Sequence, residues 1–194
     1  MVNAVEQQVK ITATSMVAAK TAELIRDMFI EYSSEQTKTE EEVSDEYEEK
    51  NGTLPDITTV SSYQSEILPG LSVTPGTKVL IKSVIEVIPG KDGAASKIEE
   101  SLSIYDSEDT SLVLKTMTKP AAQGTTKGGE YHSEFSFALP EGLPQGVYPV
   151  KSTLLLNGEL VGDKSHDLQL VLRVGHSAKG DLVAVLERSQ NTTI

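Results

Sequence analysis

The chain contains no cysteine and no tryptophan, and each absence excludes classes of protein. Without cysteine there are no disulfides, no thiolate metal sites and no thiol nucleophile. With no tryptophan and only 5% aromatic residues, the sequence argues against a carbohydrate-binding sandwich, which stacks exposed rings on sugars. A chain of 194 residues is long enough to bury a core that needs neither a disulfide nor a metal.

Basic charge and long apolar runs are also scarce. The formal net charge is −12, which argues against nucleic acid and anionic membranes as partners, because both require a basic face. No apolar run approaches the roughly 20 residues of a membrane helix, so we expect no transmembrane segment. No signal peptide is visible, yet Val2-Asn-Ala-Val-Glu-Gln-Gln resembles a mature N-terminus with an added methionine. We therefore expect a periplasmic or cell-envelope protein, with a cytoplasmic location as the alternative.

Residues 1–33 have a helical pattern. Apolar side chains at helical spacing predict an amphipathic helix over about residues 15–33. The stripe consists of Val17, Leu24, Ile25, Met28, Phe29 and Tyr32. It fits a face docked on the rest of the chain, and the alternative is that two copies associate through it.

Residues 34–56 form an acidic segment. Within residues 34–53, eight acidic residues against two lysines give half of the net negative charge of the whole chain. Such a run predicts a solvated linker or an exposed helical turn. A docking strip for a basic partner is the alternative.

Residues 57–194 alternate with a period of two, which predicts an antiparallel β-sandwich with an extra C-terminal strand over 182–186. Residues 79–88 are apolar on both faces, as in a central strand. Asn157-Gly158 predicts a hairpin turn, and residues 119–130 predict a long polar loop. The predicted core includes Val79, Ile81, Ile98, Leu102, Leu112, Phe135, Phe137, Tyr148, Val150, Leu154 and Leu170.

A corner of proline and glycine separates the alternating segments 135–139 and 147–153. Its residues are Leu139, Pro140, Gly142, Gly146, Tyr148 and Val150. This pattern resembles the passage between the fifth and sixth strands of bacterial immunoglobulin-like or fibronectin type III-like modules, over residues 72–174. The resemblance implies that the chain changes sheets here, that the Tyr148 hydroxyl bonds to the corner backbone, and that the role is binding or spacing. The missing tryptophan and cysteine pair exclude an antibody-type domain.

The sequence offers no pattern for catalysis, cofactors or metals. His132, His166 and His176 lack the spacing of zinc ligands, and no serine lies in a nucleophile elbow. The glycine-rich segments 90–93 and 124–129 lack the order of a phosphate loop. We therefore predict no catalytic residue, no cofactor and no metal.

The candidate binding region is a set of loops. In the proposed topology the loops at 89–96 and 118–130 and the turn at Asn157 lie at one end, which makes that end mildly basic. Its candidate interaction residues are Lys91, Lys119, Lys127 and Asn157, set against Asp92 and Glu130. Loops on a rigid sandwich are common binding sites.

Together these patterns predict a non-catalytic protein–protein interaction or structural module of the bacterial cell envelope. Its partner would be another protein, or a second copy bound through the N-terminal helix. One alternative is a cytoplasmic regulator that docks a basic partner through its helix and acidic strip. A hydrolase or lyase on a sandwich scaffold is the second, and it requires a concave pocket with convergent titratable groups.

Overall fold

The computed structural model describes residues 16–171, and within them two β-sheets face each other. A first helix, α1, occupies residues 16–27. The other elements are β1 (Ile30–Lys38), α2 (Glu40–Asn51), β2 (Thr59–Leu68), β3 (Ser72–Val73), β4 (Lys78–Ile88), β5 (Ser96–Tyr105), β6 (Val113–Thr126), β7 (Gly129–Ala138), β8 (Gly146–Leu156) and β9 (Glu159–Leu170).

The strands form an immunoglobulin-like sandwich, which confirms the predicted fold class. The four-stranded sheet has the order β1-β7-β4-β2, and the five-stranded sheet has the order β3-β9-β8-β5-β6. All pairs are antiparallel except β3 with β9. The predicted central strand at 79–88 is β4, which lies between β7 and β2. The hairpin of β8 and β9 turns at Asn157 and Gly158, whose φ angles of 52° and 85° match the turn expected from this dipeptide.

The corner prediction is confirmed. β7 belongs to the four-stranded sheet and β8 to the five-stranded sheet, so the chain changes sheets between them. The Tyr148 ring is completely buried, and its hydroxyl donates to the carbonyl of Pro144 at 2.9 Å. Leu139 and Leu143 fill the core beside it, and Gly142 adopts a φ of 88° that favours glycine.

Helix α1 differs from the prediction at its C-terminal end. It ends at residue 27, and residues 30–33 begin β1 instead of continuing the helix to 33. Ile30 and Tyr32 lie opposite the aromatic residues Phe137 and Phe135 of β7, so cross-strand packing overrides the helical spacing. The apolar face of α1 docks on its own sandwich, because Ile25 of the helix and Met28 directly after it belong to the main core cluster. Association of two copies through this helix stays a prediction.

Most of residues 34–56 do not form a linker, whereas the exposed helical turn expected as the other possibility is present as α2. Residues 34–38 complete β1, and residues 40–51 form α2. Thr39 caps this helix: its hydroxyl accepts from the backbone N–H of Glu42, whose carboxylate accepts from the N–H of Thr39 at 2.7 Å. Three glutamates in the first turn favour the helix further because they face its positive end.

The remaining differences concern loops and the chain end. Residues 119–130 are not a polar loop, since β6 extends to Thr126 and β7 begins at Gly129. Leu112 was wrongly assigned to the core: it lies just before β6 and is 49% exposed, whereas the other ten predicted core residues are buried.

The predicted strand over 182–186 lies outside the described residues. Within residues 16–171, no helix has the length and hydrophobicity needed to span a membrane.

Candidate functional site

Three of the four candidate loop residues lie at the predicted end of the sandwich. The Asn157 side chain accepts from the backbone N–H of Lys97 at 2.8 Å and donates to Ser96 at 3.2 Å. Ser96 is paired with Thr126, which directly precedes Lys127. Lys91 lies in the loop between β4 and β5, at the same end. Lys119 is the exception, because it lies on β6 opposite Glu100 of β5 and away from the turn.

The charges of this end are arranged differently from the prediction. Lys91 pairs with Asp56 at 3.4 Å, and the Asp92 carboxylate accepts from the backbone N–H of Ala94. Glu130 pairs with Lys38 of β1 at 3.4 Å. Asn157 therefore has a structural role, because its side chain joins the turn between β8 and β9 to the start of β5. Ligand binding at this end stays a prediction.

A polar layer crosses the middle of the core and was missed by the sequence analysis. Each of the four central strands contributes one inward polar residue between two apolar ones, namely Ser83, Glu100, Ser133 and Ser152. On one side of this layer lies the core cluster with Phe135 and Tyr148, and on the other side the cluster with Tyr131. The interior of the sandwich therefore consists of two apolar clusters with the polar layer between them.

Glu100 is the centre of the polar layer. Its side chain is completely buried, and its carboxylate accepts hydrogen bonds from Ser83 (2.6 Å), Ser133 (2.5 Å) and Tyr63 (2.9 Å). These three donors belong to β4, β7 and β2 of the opposite sheet, so one carboxylate joins three strands to β5. Hydrogen bonds to a charged acceptor are stronger than those between neutral groups.

A row of serines extends the same connection across the four-stranded sheet. Ser34, Ser133, Ser83 and Ser65 are paired in register, one on each strand. Each makes a hydrogen bond to the opposite sheet: Ser34 donates to the carbonyl of Ala121 at 2.6 Å, and Ser65 bonds Nε2 of His166 at 3.1 Å. Burial lowers the pKa of His166. Hydrogen bonds from this serine row therefore join the two sheets along the whole width of the four-stranded sheet, from β1 to β2.

Two largely buried tyrosines, Tyr32 and Tyr63, lie close to Glu100. Burial, reinforced by the nearby carboxylate, raises the pKa of Tyr32 to about 12 and also raises the pKa of Tyr63. The Tyr32 hydroxyl and the Ser152 hydroxyl are buried without a hydrogen-bond partner among the described residues. The layer is sealed from solvent, so its arrangement fits a structural role rather than the chemistry of an open active site.

The outer face of the four-stranded sheet forms an open groove, which we call the face groove. Its volume is about 540 Å³, and its lining includes Ser33, Glu35, Glu66, Lys82, His132 and Glu134. In the strand register Ser33, Glu134, Lys82 and Glu66 lie side by side across the sheet. Lys82 and Glu134 approach to 3.8 Å, and no described cation lies within ion-pair distance of Glu35 or Glu66. The groove is therefore negatively charged.

Helix α2 adds to this charge. It packs on the outer face against β4 and β7, and its one buried residue is Val43. Lys38 joins the helix to the sheet, because its amine lies 2.9 Å from Glu46 and 3.4 Å from Glu130. The hydrogen bond to Glu46 is the main reason that the pKa of Lys38 is raised. The other acidic side chains of α2 lie in solvent beside the sheet.

A second groove, which we call the edge groove, lies between the sheet edges β1 and β6. Its volume is about 620 Å³. One wall consists of residues 32–36, and the other runs from Pro120 to Thr126 on β6, with Tyr131 between them. It was not predicted, because the sequence pattern indicates a helix over residues 30–33 and a loop over residues 119–130.

The described residues contain no group of three His, Asp or Glu side chains placed to hold a metal. His132 lies on the outer face and bonds Glu130 at 3.2 Å, while His166 faces Ser65 between the sheets. His176 lies outside the described residues.

Solved structures of low sequence identity resemble part of this chain. No protein-family model and no curated protein matches the chain. The CARDB domain of a Pyrococcus furiosus protein is 14% identical, with a TM-score of 0.41, over 62% of this chain and all of that domain. Spo0M of Bacillus subtilis is 17% identical, with a TM-score of 0.36, over 58% of this chain and 50% of its own.

A third likeness is to the alkylpurine DNA glycosylase AlkC of Pseudomonas fluorescens. It is 12% identical, with a TM-score of 0.38, over 60% of this chain and 30% of the glycosylase. At TM-scores below 0.5, none of these likenesses carries an argument about activity. The sandwich of this chain is established by its own strands.

Proposed function

We propose that this chain is a non-catalytic protein-interaction module that binds a basic partner through the outer face of its four-stranded sheet. The observation that carries the proposal is the face groove, in which Glu35, Glu66 and Glu134 stand against the single lysine Lys82. The partner would place lysine or arginine side chains over these carboxylates.

Two features of the fold support binding at this face. The polar layer and the two apolar cores make the sheet a rigid platform, so a partner pays little to order it. The acidic helix α2 lies on the same face and extends the negative field beyond the groove. Such a field increases the rate of association with a basic partner at low salt.

The face groove is concave and carries titratable groups, as the hydrolase or lyase alternative requires. Its groups, however, lie on an open sheet surface and pair with one another, as Lys82 does with Glu134. A catalytic acid or base is normally tuned by burial in a closed site. The buried carboxylate, Glu100, is committed to three hydroxyl donors within the core. A binding role accounts for this arrangement better than catalysis.

A location in the bacterial cell envelope is part of the proposal. Fractionation of cells that produce the protein from its natural gene would test it. Recovery with the cytoplasmic fraction would favour the alternative of a cytoplasmic regulator, and the binding face would be the same in either compartment.

Charge reversal tests the binding face. A triple variant, Glu35→Lys, Glu66→Lys and Glu134→Lys, is compared with a control that reverses three exposed acids elsewhere, Glu108→Lys, Glu141→Lys and Glu159→Lys. Both have the same net charge. Calorimetric titration with a synthetic lysine-rich peptide should show that the triple variant binds about tenfold more weakly than the control. Equal losses in both variants would mean that the chain attracts cations without a defined site.

A further inference from the structure

We infer that the basic partner binds as an extended strand added to the free edge of β1, along the edge groove. This inference rests on the proposed function and names the form that the partner takes. Among the described residues 16–171, β1 is the outermost strand of the four-stranded sheet and pairs with β7 alone, so one row of its backbone N–H and C=O groups has no strand partner within that range. Such an edge is a template for another strand.

The two strands beside the edge groove differ in their protection. β6 carries the devices that normally block strand addition: Pro120, which lacks an N–H, and an irregular stretch at residues 121–124 opposite Ile98. β1 has neither a proline nor a glycine over Ile30–Lys38, and its lysine and its one irregularity, between Gln36 and Lys38, both lie at the end of the strand. An incoming strand would therefore pair with β1 and leave β6 as the far wall.

The edge groove has the dimensions of an extended peptide. Five consecutive residues of β1, 32–36, line it, and five residues of a strand span about 17 Å. Its base is closed, because the Ser34 hydroxyl bonds the carbonyl of Ala121 and so joins the two sheets. The peptide would lie along the edge without opening the core.

The side chains around the groove specify the chemistry of the peptide. Ser33 and Glu35 of β1 belong to the outer face and also line the face groove, so residues beside them would carry lysine or arginine. The other set of side chains would face Pro120, Ala121 and Ala122, where small apolar residues fit. Because a strand alternates with a period of two, the expected partner alternates cationic and small apolar residues.

The charge of β1 argues against a second copy as the occupant. Antiparallel pairing of two β1 strands would bring Glu31 and Glu35 of one copy close to the same residues of the other, and like charges across strands are destabilising. The net charge of −12 on each chain opposes the same approach.

A set of three synthetic peptides tests strand addition on the full chain. The first alternates lysine and valine over nine residues. In the second peptide the backbone amides of the lysines are N-methylated, and in the third the backbone amides of the valines are N-methylated. All three peptides therefore have the same charge and the same side chains. Only one of the two sets of amides can face β1. We expect one methylated peptide to bind about tenfold more weakly than the parent and the other to bind as the parent does, by NMR titration.

The outcomes separate the two proposals. If all three peptides bind equally in a salt-sensitive manner, the acidic face binds cations and strand addition is wrong. An equal loss for both methylated peptides also overturns strand addition, and no binding of any peptide overturns both proposals.

Two further measurements locate the bound peptide. Amide hydrogen exchange should slow at alternate residues of 30–38 when the parent peptide is added. Gln123→Trp, which fills the edge groove from the exposed side of β6, should weaken binding about tenfold, whereas Thr110→Trp in the turn before β6 should not. Unchanged binding to Gln123→Trp would place the peptide elsewhere.

Discussion

The hydroxyl of Ser133 donates a hydrogen bond to Oε2 of Glu100, and these two residues join the two sheets across the centre of the core. Ser83 donates to the other carboxylate oxygen of Glu100. Glu100 and Ser133 are buried, with at most 4% of either residue exposed to solvent. A carboxylate in such a place is stable only when its oxygens are satisfied, so the three hydroxyl donors and Glu100 form one unit.

Replacement of Glu100 by leucine should therefore cost about 3 kcal/mol or more in the free energy of unfolding. The substitution leaves the hydroxyls of Tyr63, Ser83 and Ser133 buried without an acceptor. Urea unfolding followed by circular dichroism measures the change. Glu99→Leu is the control, because Glu99 is the neighbouring residue and pairs with Lys97 near the surface. If Glu100→Leu were as stable as the control, the polar layer would contribute nothing to stability.

Ser83 and Ser152 both belong to the polar layer, but their replacement by alanine should change the free energy of unfolding differently. Ser83→Ala removes a donor to a charged acceptor and should cost about 1.5–3 kcal/mol. Ser152→Ala removes a buried hydroxyl that has no partner among the described residues, and it should be neutral or stabilise by about 1 kcal/mol. The comparison uses the same chemical change at two buried sites. A similar loss in both variants would show that Ser152 makes a hydrogen bond after all.

The corner and the hairpin could be predicted because their signals are local. Asn157-Gly158 tolerates positive φ without help from the rest of the chain, and the spacing from Leu139 to Tyr148 is set by the turn itself. The predicted core was correct for the same reason, since alternation along one strand defines its inward face. Leu112 failed because it lies outside any strand, so alternation says nothing about it.

The candidate site could not be predicted, because it depends on pairing between distant segments. Residues 30–33 have helical spacing, and only the aromatic residues of β7 make them a strand. The acidic run was interpreted by its charge, although Thr39 and Glu42 have the spacing of a capping box. Glu100 had a usable signal: it has the same alternation as Ile98 and Leu102 and therefore points inward with them.

The corner tyrosine offers a test of a single hydrogen bond. Tyr148→Phe removes the bond to the Pro144 carbonyl and keeps the buried ring, so it should cost about 1 kcal/mol in unfolding free energy. Tyr105→Phe, on a half-buried tyrosine of β5, is the matched control and should cost less than about 0.5 kcal/mol. A loss of the same size at both positions would remove the argument that the corner is fixed by this hydroxyl.

The cap of α2 should matter for the acidic face as well as for stability. Thr39→Ala removes the acceptor for the Glu42 N–H and should destabilise the helix by about 1 kcal/mol. Because Val43 is the one buried residue of α2, few apolar contacts hold the helix on the sheet, and its amides should exchange faster in the variant. Ser44→Ala is the control within the same helix, since its hydroxyl bonds only the Glu40 carbonyl. Equal exchange rates in both variants would contradict the capping role.

Alkaline titration tests the surroundings of Tyr32. Its pKa in the folded chain is about 12, above the ordinary value of 10.0, because burial and the charge of Glu100 disfavour the phenolate. A group whose pKa is raised by folding stabilises the fold fully below its unfolded pKa, and this contribution is lost as the pH rises from 10 towards 12. The free energy of unfolding should therefore fall over this range, and the fall should be smaller in Tyr32→Phe. Tyr47→Phe on α2 is the control, and a phenolate absorbance that shows Tyr32 titrating at an ordinary pH in the folded chain would contradict the interpretation.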